Sequence, residues 1–226
     1  MNYQNTKRGI FRARPNRFIA HVEIDGRVEI CHVKNTGRCK ELLTEGATVI
    51  VARSDNPQRK TAYDLIAVYK GNKLINMDSQ APNRVFGEWV RTGGMGDGWT
   101  VIKPECTYGS SRFDFYLEGE GRRAFVEVKG VTLETDGVVR FPDAPTERGV
   151  KHLHELIQAG KNGYEAYLFF VIQMRSCRYF TPNEETHPAF AEALRTAAKS
   201  GVTVRAVSCN VTEQALWIDD FVDVVL

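Results

Sequence analysis

Three runs decide how this chain reads: Gly109-Ser-Ser-Arg-Phe-Asp-Phe115, Val126-Glu-Val-Lys129, and Phe141-Pro-Asp-Ala-Pro-Thr-Glu-Arg-Gly-Val-Lys-His-Leu-His-Glu-Leu156. In 126–129 apolar and charged residues alternate, so on a strand Glu127 and Lys129 leave on one face while Val126 and Val128 enter the core. Asp114 sits in an earlier run, Arg112 to Leu117, that alternates in the same way. Gly119 and Gly121 supply a short turn that lets the two strands pair antiparallel and brings Asp114 near Glu127. Two carboxylates can hold a hard cation such as Mg²⁺, and the lysine can orient water or offset charge on a reacting phosphate. A bare Glu-x-Lys on an amphipathic strand is usually a solvated, self-compensating pair. The surrounding sequence is what turns this one into a candidate site.

That sequence reads as α/β from residue 81 onward. Arg84 to Arg91 has helical apolar spacing and stops at Gly93-Gly94, with Glu88 on the edge of the stripe. Strands follow at Trp99–Cys106, Arg112–Leu117 and Ala124–Val131. A helix is predicted from Thr146 to Ala159 with Pro145 at its start, then strand Glu165–Ile172, helix Pro188–Lys199 and strand Val202–Val207. Val150, Leu153 and Ile157 form the apolar stripe of the Thr146 helix. Arg148, Lys151, His152 and Glu155 share another face, beside the conspicuous loop Phe141-Pro142-Asp143. A helix starting beside the sheet would aim its first N–H groups at a bound phosphate.

The first 80 residues read as a small β-barrel. Arg17–Ile24 and Arg27–Val33 alternate around Asp25-Gly26, a hairpin signal. Thr48–Ala52, Ala62–Tyr69 and Lys73–Met77 are further strands, with a short helix expected over Lys40-Glu-Leu-Leu43. This suits an oligonucleotide-binding (OB) barrel, and an SH3-like barrel nearly as well. Residues 1–60 carry twelve Lys and Arg against six Asp and Glu, a local +6, while the remaining 18 against 22 give −4. Arg12, Arg14 and Arg17 interleave with Phe11 and Phe18, and Asn35-Thr36-Gly37-Arg38, Arg59 and Lys60 lie in the same half. That is the footprint of a polyanion-binding surface, to which Arg112, Arg148, Lys151 and His152 add from the second half.

Composition sets the outer limits. No apolar run approaches a membrane span, the longest being Leu168–Ile172, and Met1–Phe11 lacks a signal-peptide core. A cytoplasmic protein is expected. Five scattered cysteines with no Cys-x-x-Cys read as reduced thiols, and Cys31, His32 and Cys39 lack a fourth ligand for zinc.

A helix, a three-strand meander carrying Asp and Glu-x-Lys, then a helix and a strand resembles the core of the PD-(D/E)XK nuclease superfamily. More specifically, the chain resembles the sugar fermentation stimulation protein A (SfsA) family. The carrying residues are Arg17-Phe18, Asn35-Thr-Gly-Arg38, Pro57-Gln-Arg-Lys60, Pro82-Asn83, Gly109–Phe115, Val126–Lys129, Val131-Thr-Leu133, Phe141–Ala144, Thr146, Arg148-Gly149, Lys151-His-Leu153 and Glu155-Leu156. Cys39 stands where methionine would be expected, Lys34 where proline would, and Phe113 where the superfamily has proline before its first aspartate. The resemblance implies an OB-like domain over 1–80, a nuclease-like domain over 81–226, a prokaryotic source and DNA binding. The activity expected is Mg²⁺- or Mn²⁺-dependent hydrolysis of DNA or RNA. Asp114 and Glu127 would bind metal with help from the Val128 carbonyl, Lys129 would activate water, and Glu88 would anchor Lys129 or a second metal. The rival expectation is a non-catalytic DNA-binding regulator of sugar (maltose) metabolism on a nuclease-like scaffold.

Overall fold

The computed structural model describes all of residues 1–226 except Thr36 and Arg38. Both were expected to contact nucleic acid and lie outside the described residues. The chain opens with β1 (Thr6–Asn16), β2 (Ile19–Ile24), β3 (Arg27–Val33), β4 (Thr48–Arg53), β5 (Tyr63–Lys70) and β6 (Lys73–Asn76). β1 pairs with β2 and β4, β2 with β3, β4 with β5, and β3 closes onto β5 in parallel. The result is a five-stranded OB barrel, and this parallel closure decides against the SH3-like alternative. Asp25 and Gly26 both adopt positive φ, 51° and 77°, as a tight hairpin turn demands. Phe11, Val22, Cys31, Val33, Val51 and Leu65 are among the residues buried in the core.

Two expectations for this half need correction. Residues before Arg17 were read only as a basic run, yet they form β1, the longest strand of the barrel. Its register shifts after Phe11 and again after Ala13, which bends the strand and hides the two-residue alternation from the sequence. The helix expected over Lys40–Leu43 is a single turn, closed by Leu43 N–H on the Cys39 carbonyl at 2.9 Å. One turn cannot offset the cost of helix nucleation, and Cys39, with φ of 45°, begins it outside helical geometry. Burial of Leu42 and Leu43 holds it instead.

The second half comprises α1 (Ala81–Arg91), β7 (Val101–Tyr108), β8 (Ser111–Gly119), β9 (Arg122–Val131), β10 (Leu133–Thr135), β11 (Val138–Phe141) and α2 (Glu147–Lys161). β12 (Glu165–Ile172), β13 (Tyr179–Pro182), α3 (Pro188–Lys199), β14 (Thr203–Val211) and β15 (Leu216–Val222) complete it. Six strands form one sheet in the order β15-β14-β12-β9-β8-β7. β7, β8 and β9 are an antiparallel meander, and β12 and β14 run parallel to β9.

Helices cover both faces. Val85, Phe86 and Val90 of α1 pack with Phe115, Val126, Val128 and Phe169. Leu153 and Leu156 of α2 and Phe190 of α3 belong to the core that includes Phe113, Phe125, Leu168 and Phe170. β10, β11 and β13 make a separate three-stranded sheet that the sequence reading missed, as it missed β15. The face of β9 that carries Glu127 and Lys129 is therefore roofed by α2, not open to solvent. α1 also starts earlier than expected: Pro82 lies in its first turn, where a missing N–H costs nothing.

Candidate active site

β8 and β9 pair in regular register from Gly119↔Arg122 to Phe115↔Val126, and there the ladder ends. Beyond that point the Asp114 side chain takes over from the backbone. Its Oδ2 accepts the Val128 N–H at 2.8 Å, and its Oδ1 accepts from Asn83 Nδ2, at the start of α1, at 2.7 Å. One carboxylate is thus locked by a strand amide and a helix amide, with a lone pair left on each oxygen. Burial pushes the Asp114 carboxyl up, and the nearby Glu127 charge adds to it; Val128, Lys129 and Asn83 only partly offset this.

Glu127 lies one strand over and is 2% exposed. Its Oε1 receives two donors, the Lys129 ammonium at 2.5 Å and His152 Nδ1. Burial alone would raise this carboxyl, but His152 and Lys129 outweigh it and leave it below the ordinary range. The Arg148 Nε–H points at His152 Nε2 at 3.3 Å. A guanidinium can only donate, so Nε2 must accept and the ring proton sits on Nδ1, where it serves Glu127. The second oxygen, Glu127 Oε2, is buried and has no hydrogen-bond partner among the described residues. An ionised oxygen left bare in the interior is costly unless something positive meets it.

Other expected site residues are placed differently. Glu88 does not reach Lys129: its carboxylate takes the Met1 amino group at 2.7 Å and Arg84 at 3.4 Å. The reason is rotation of α1, which commits Val85, Phe86 and Val90 to the sheet and leaves Glu88 half exposed. Glu88 still shares an open groove with Asn83, Glu105 and Asp114. His152 cannot be a surface contact for nucleic acid, because it is 4% exposed and belongs to Glu127. The apolar stripe of α2 is correspondingly shifted, with Leu156 fully buried and Val150 only partly. At the α2 N-terminus the Gly149 N–H is already taken by Thr146 Oγ1 at 3.0 Å.

Among the basic residues, Arg59 is paired with Asp64 and Arg12 with Glu23. Arg14 donates to the carbonyls of Arg17, Asn35 and Gly37, so it ties those residues to β1. Arg17 stacks over Phe18, itself 46% exposed, at 5.0 Å from the ring centroid. Lys60, Arg148 and Lys151 are exposed, and Arg112 pairs with Glu105 at the surface. Lys151 also donates to the Ser110 carbonyl at 3.3 Å. Asn83 and the His152–Glu127 pair were not foreseen as site features. The only signals for them were Pro82-Asn83 and the i,i+4 spacing of Arg148 and His152.

Among the described residues no three His, Cys, Asp or Glu side chains come together as a metal cluster. Two carboxylates remain a sufficient protein contribution for Mg²⁺, which usually keeps several waters and takes further oxygens from a substrate phosphate. The bare Glu127 oxygen and the fixed Asp114 fit that demand. Among the described residues no helix is long and apolar enough to cross a membrane.

Comparison with known proteins gives a consistent result. The family description "SfsA N-terminal OB domain" matches residues 13–77, and "Sugar fermentation stimulation protein RE domain" matches residues 80–215. A sugar fermentation stimulation protein homolog of Clostridium beijerinckii is 57% identical over 226 residues, covering all of both chains. One from Desulfitobacterium hafniense is 60% identical over 226 residues, covering 100% of this chain and 99% of its own. Among solved structures, Pyrococcus furiosus SfsA in complex with Ca²⁺ superposes with a TM-score of 0.91 at 27% identity, covering 100% of this chain and 98% of that one.

Proposed function

The chain belongs to the sugar fermentation stimulation protein (SfsA) family, and from that premise we propose that it is a Mg²⁺-dependent phosphodiesterase acting on nucleic acid. The observation that carries the proposal is the buried, partnerless Glu127 Oε2 beside Asp114, with Lys129 on the same carboxylate. Asp114 and Glu127 would hold the ion. The Pyrococcus furiosus relative binds Ca²⁺, another hard, oxygen-seeking cation, which supports the reading. When bound, the ion supplies Lewis acidity toward a phosphoryl oxygen and lowers the pKa of coordinated water.

The protein's own groups do the rest. Asn83 and the Val128 N–H fix the Asp114 carboxylate. His152 and Lys129 draw Glu127 Oε1 to one side and so aim Oε2. The Lys129 ammonium, largely sheltered from water, supplies preorganised positive charge for the anionic transition state and orients the attacking water. Arg17 with Phe18, Lys60, Arg148 and Lys151 offer phosphate contacts, and DNA is the expected polymer.

The rival reading, a DNA-binding regulator without turnover, draws on one feature: both Asp114 oxygens already hold hydrogen bonds. One assay separates the two. Labelled single- and double-stranded DNA and RNA are incubated with the protein in Mg²⁺, Mn²⁺ or EDTA. Metal-dependent cleavage that disappears in Glu127→Gln and Lys129→Ala is expected. Tight binding with no cleavage under any metal overturns the enzyme and leaves the regulator.

A further inference from the structure

Several motif residues stand apart from the Asp114–Glu127–Lys129 cluster, and the fold gathers them elsewhere. Asn35 from the barrel, Thr132 after β9, and Arg140 and Asp143 around the end of β11 line a single cleft of about 120 Å³. Gly130 and Val131, the two residues that follow Lys129 on β9, also line it. At ~3.3 Å per strand residue, Val131 is about 7 Å along the strand from Lys129. The cleft therefore adjoins the proposed cleavage site.

Three features mark it as a receptor and not a packing fault. First, Arg140 is only half exposed, yet among the described residues its guanidinium makes no hydrogen bond or ion pair. Second, Gln173 is held by its amide nitrogen, which donates to Asn76 Oδ1 at 2.8 Å and to the Asp78 carbonyl at 3.0 Å. That fixes Oε1 toward the Gly130 side, where a Cβ would approach it to 2.7 Å. Third, the barrel segment meets Asp143 so closely that a Cβ on Gly37 would collide with its carboxylate.

Size and chemistry together select the ligand. A volume of about 120 Å³ is well short of the ~300–1,000 Å³ of a cofactor pocket. A space of that size suits one small ring system. A bare phosphate suits Arg140 but is opposed by the Asp143 carboxylate on the same cleft. The edge of a heteroaromatic base needs donors and acceptors together. Here Arg140 donates, Asp143 and Gln173 Oε1 accept, and the Thr132 hydroxyl does either.

We propose that this cleft is a nucleobase subsite, which takes the unstacked base of a nucleotide next to the scissile phosphate. It rests on the phosphodiesterase reading and gives that site a grip on single-stranded or locally opened nucleic acid.

The test uses the full chain without added divalent metal, and it measures no cleavage. Saturation-transfer NMR is recorded with purine and pyrimidine nucleoside 5′-monophosphates, and with ribose 5-phosphate as competitor. Saturation of base-ring protons is expected in the wild type and lost in both Arg140→Ala and Thr132→Val; the second keeps the side-chain shape. Ribose 5-phosphate should leave the ring signals in place. Absent ring saturation, signals unchanged in both variants, or full displacement by ribose 5-phosphate would each overturn the subsite. A protein that cleaves nucleic acid but gives one of these results loses the subsite and keeps its enzymatic reading. One that binds bases in this cleft but never cleaves loses only the enzymatic reading.

Discussion

Replacing Glu134 by glutamine should weaken this protein by an amount that depends on pH. Glu134 is 7% exposed, so solvent screens it little. From β10 it joins the two halves: Lys70 reaches its Oε2 at 2.8 Å, and Lys73 reaches Oε1 at 3.0 Å. The Gly137 N–H donates to Oε1 at 2.7 Å. Burial alone would raise the carboxyl, but Lys70, Gly137 and Lys73 outweigh it and hold it at about 2, against an ordinary value of 4.5.

Because the folded value lies below the unfolded one, the stabilisation is complete above about 4.5 and is lost as pH falls toward about 2. At ~1.4 kcal/mol per pH unit, the gap is worth about 3 kcal/mol at neutral pH. For a chain of this length, ~2–4 °C per kcal/mol converts that to a Tm loss of about 6–12 °C. Glutamine keeps the shape and an acceptor for Gly137, so the lost charge dominates. Calorimetry of both proteins from pH 7 to pH 3 isolates the effect, since every other titrating group is common to them. The wild-type advantage should shrink steadily below about pH 4.5. A Tm gap that stays constant with pH, or no gap at pH 7, would refute the reasoning.

Three further outcomes are expected. Lys129→Ala should lower cleavage by about 10²–10⁴-fold, a larger loss than in Mn²⁺ affinity followed by calorimetry, because both carboxylates remain and His152 still holds Glu127 Oε1. Equal cleavage by the variant and the wild type would remove Lys129 from the mechanism. His152→Ala should weaken Mn²⁺ binding by about 10–100-fold, as expected when a group that orients a ligand is lost; unchanged affinity would make His152 a packing residue only. Arg17→Ala should weaken binding to unrelated DNA sequences alike and reduce the salt slope by about one, whereas Arg14→Ala should instead lower Tm by leaving the Asn35 and Gly37 carbonyls without its guanidinium. A salt slope unchanged by Arg17→Ala would show that this arginine makes no phosphate contact.

Much of this protein is written locally. The alternation of 112–117 and 124–131 specified β8 and β9, and the spacing of apolar residues in 188–199 specified α3 to the residue. Period and turn chemistry act between near neighbours in sequence, so they also placed Asp114, Glu127 and Lys129 on adjacent strands. What depends on neighbours distant in sequence stayed hidden. Glu127 and Lys129 alternate as a solvated pair would, and only the arrival of α2 buries Glu127 against His152. Glu88 was uncertain because a helix can turn about its axis without changing its sequence pattern; packing on Phe115 and Phe169 set that angle. Closure of β3 onto β5 chose the OB barrel, a pairing between strands thirty residues apart for which neither carries a mark. The cleft of Asn35, Thr132, Arg140 and Asp143 is the furthest case. Its residues come from segments about a hundred positions apart, and charge, size and shape there exist only once both halves have folded together.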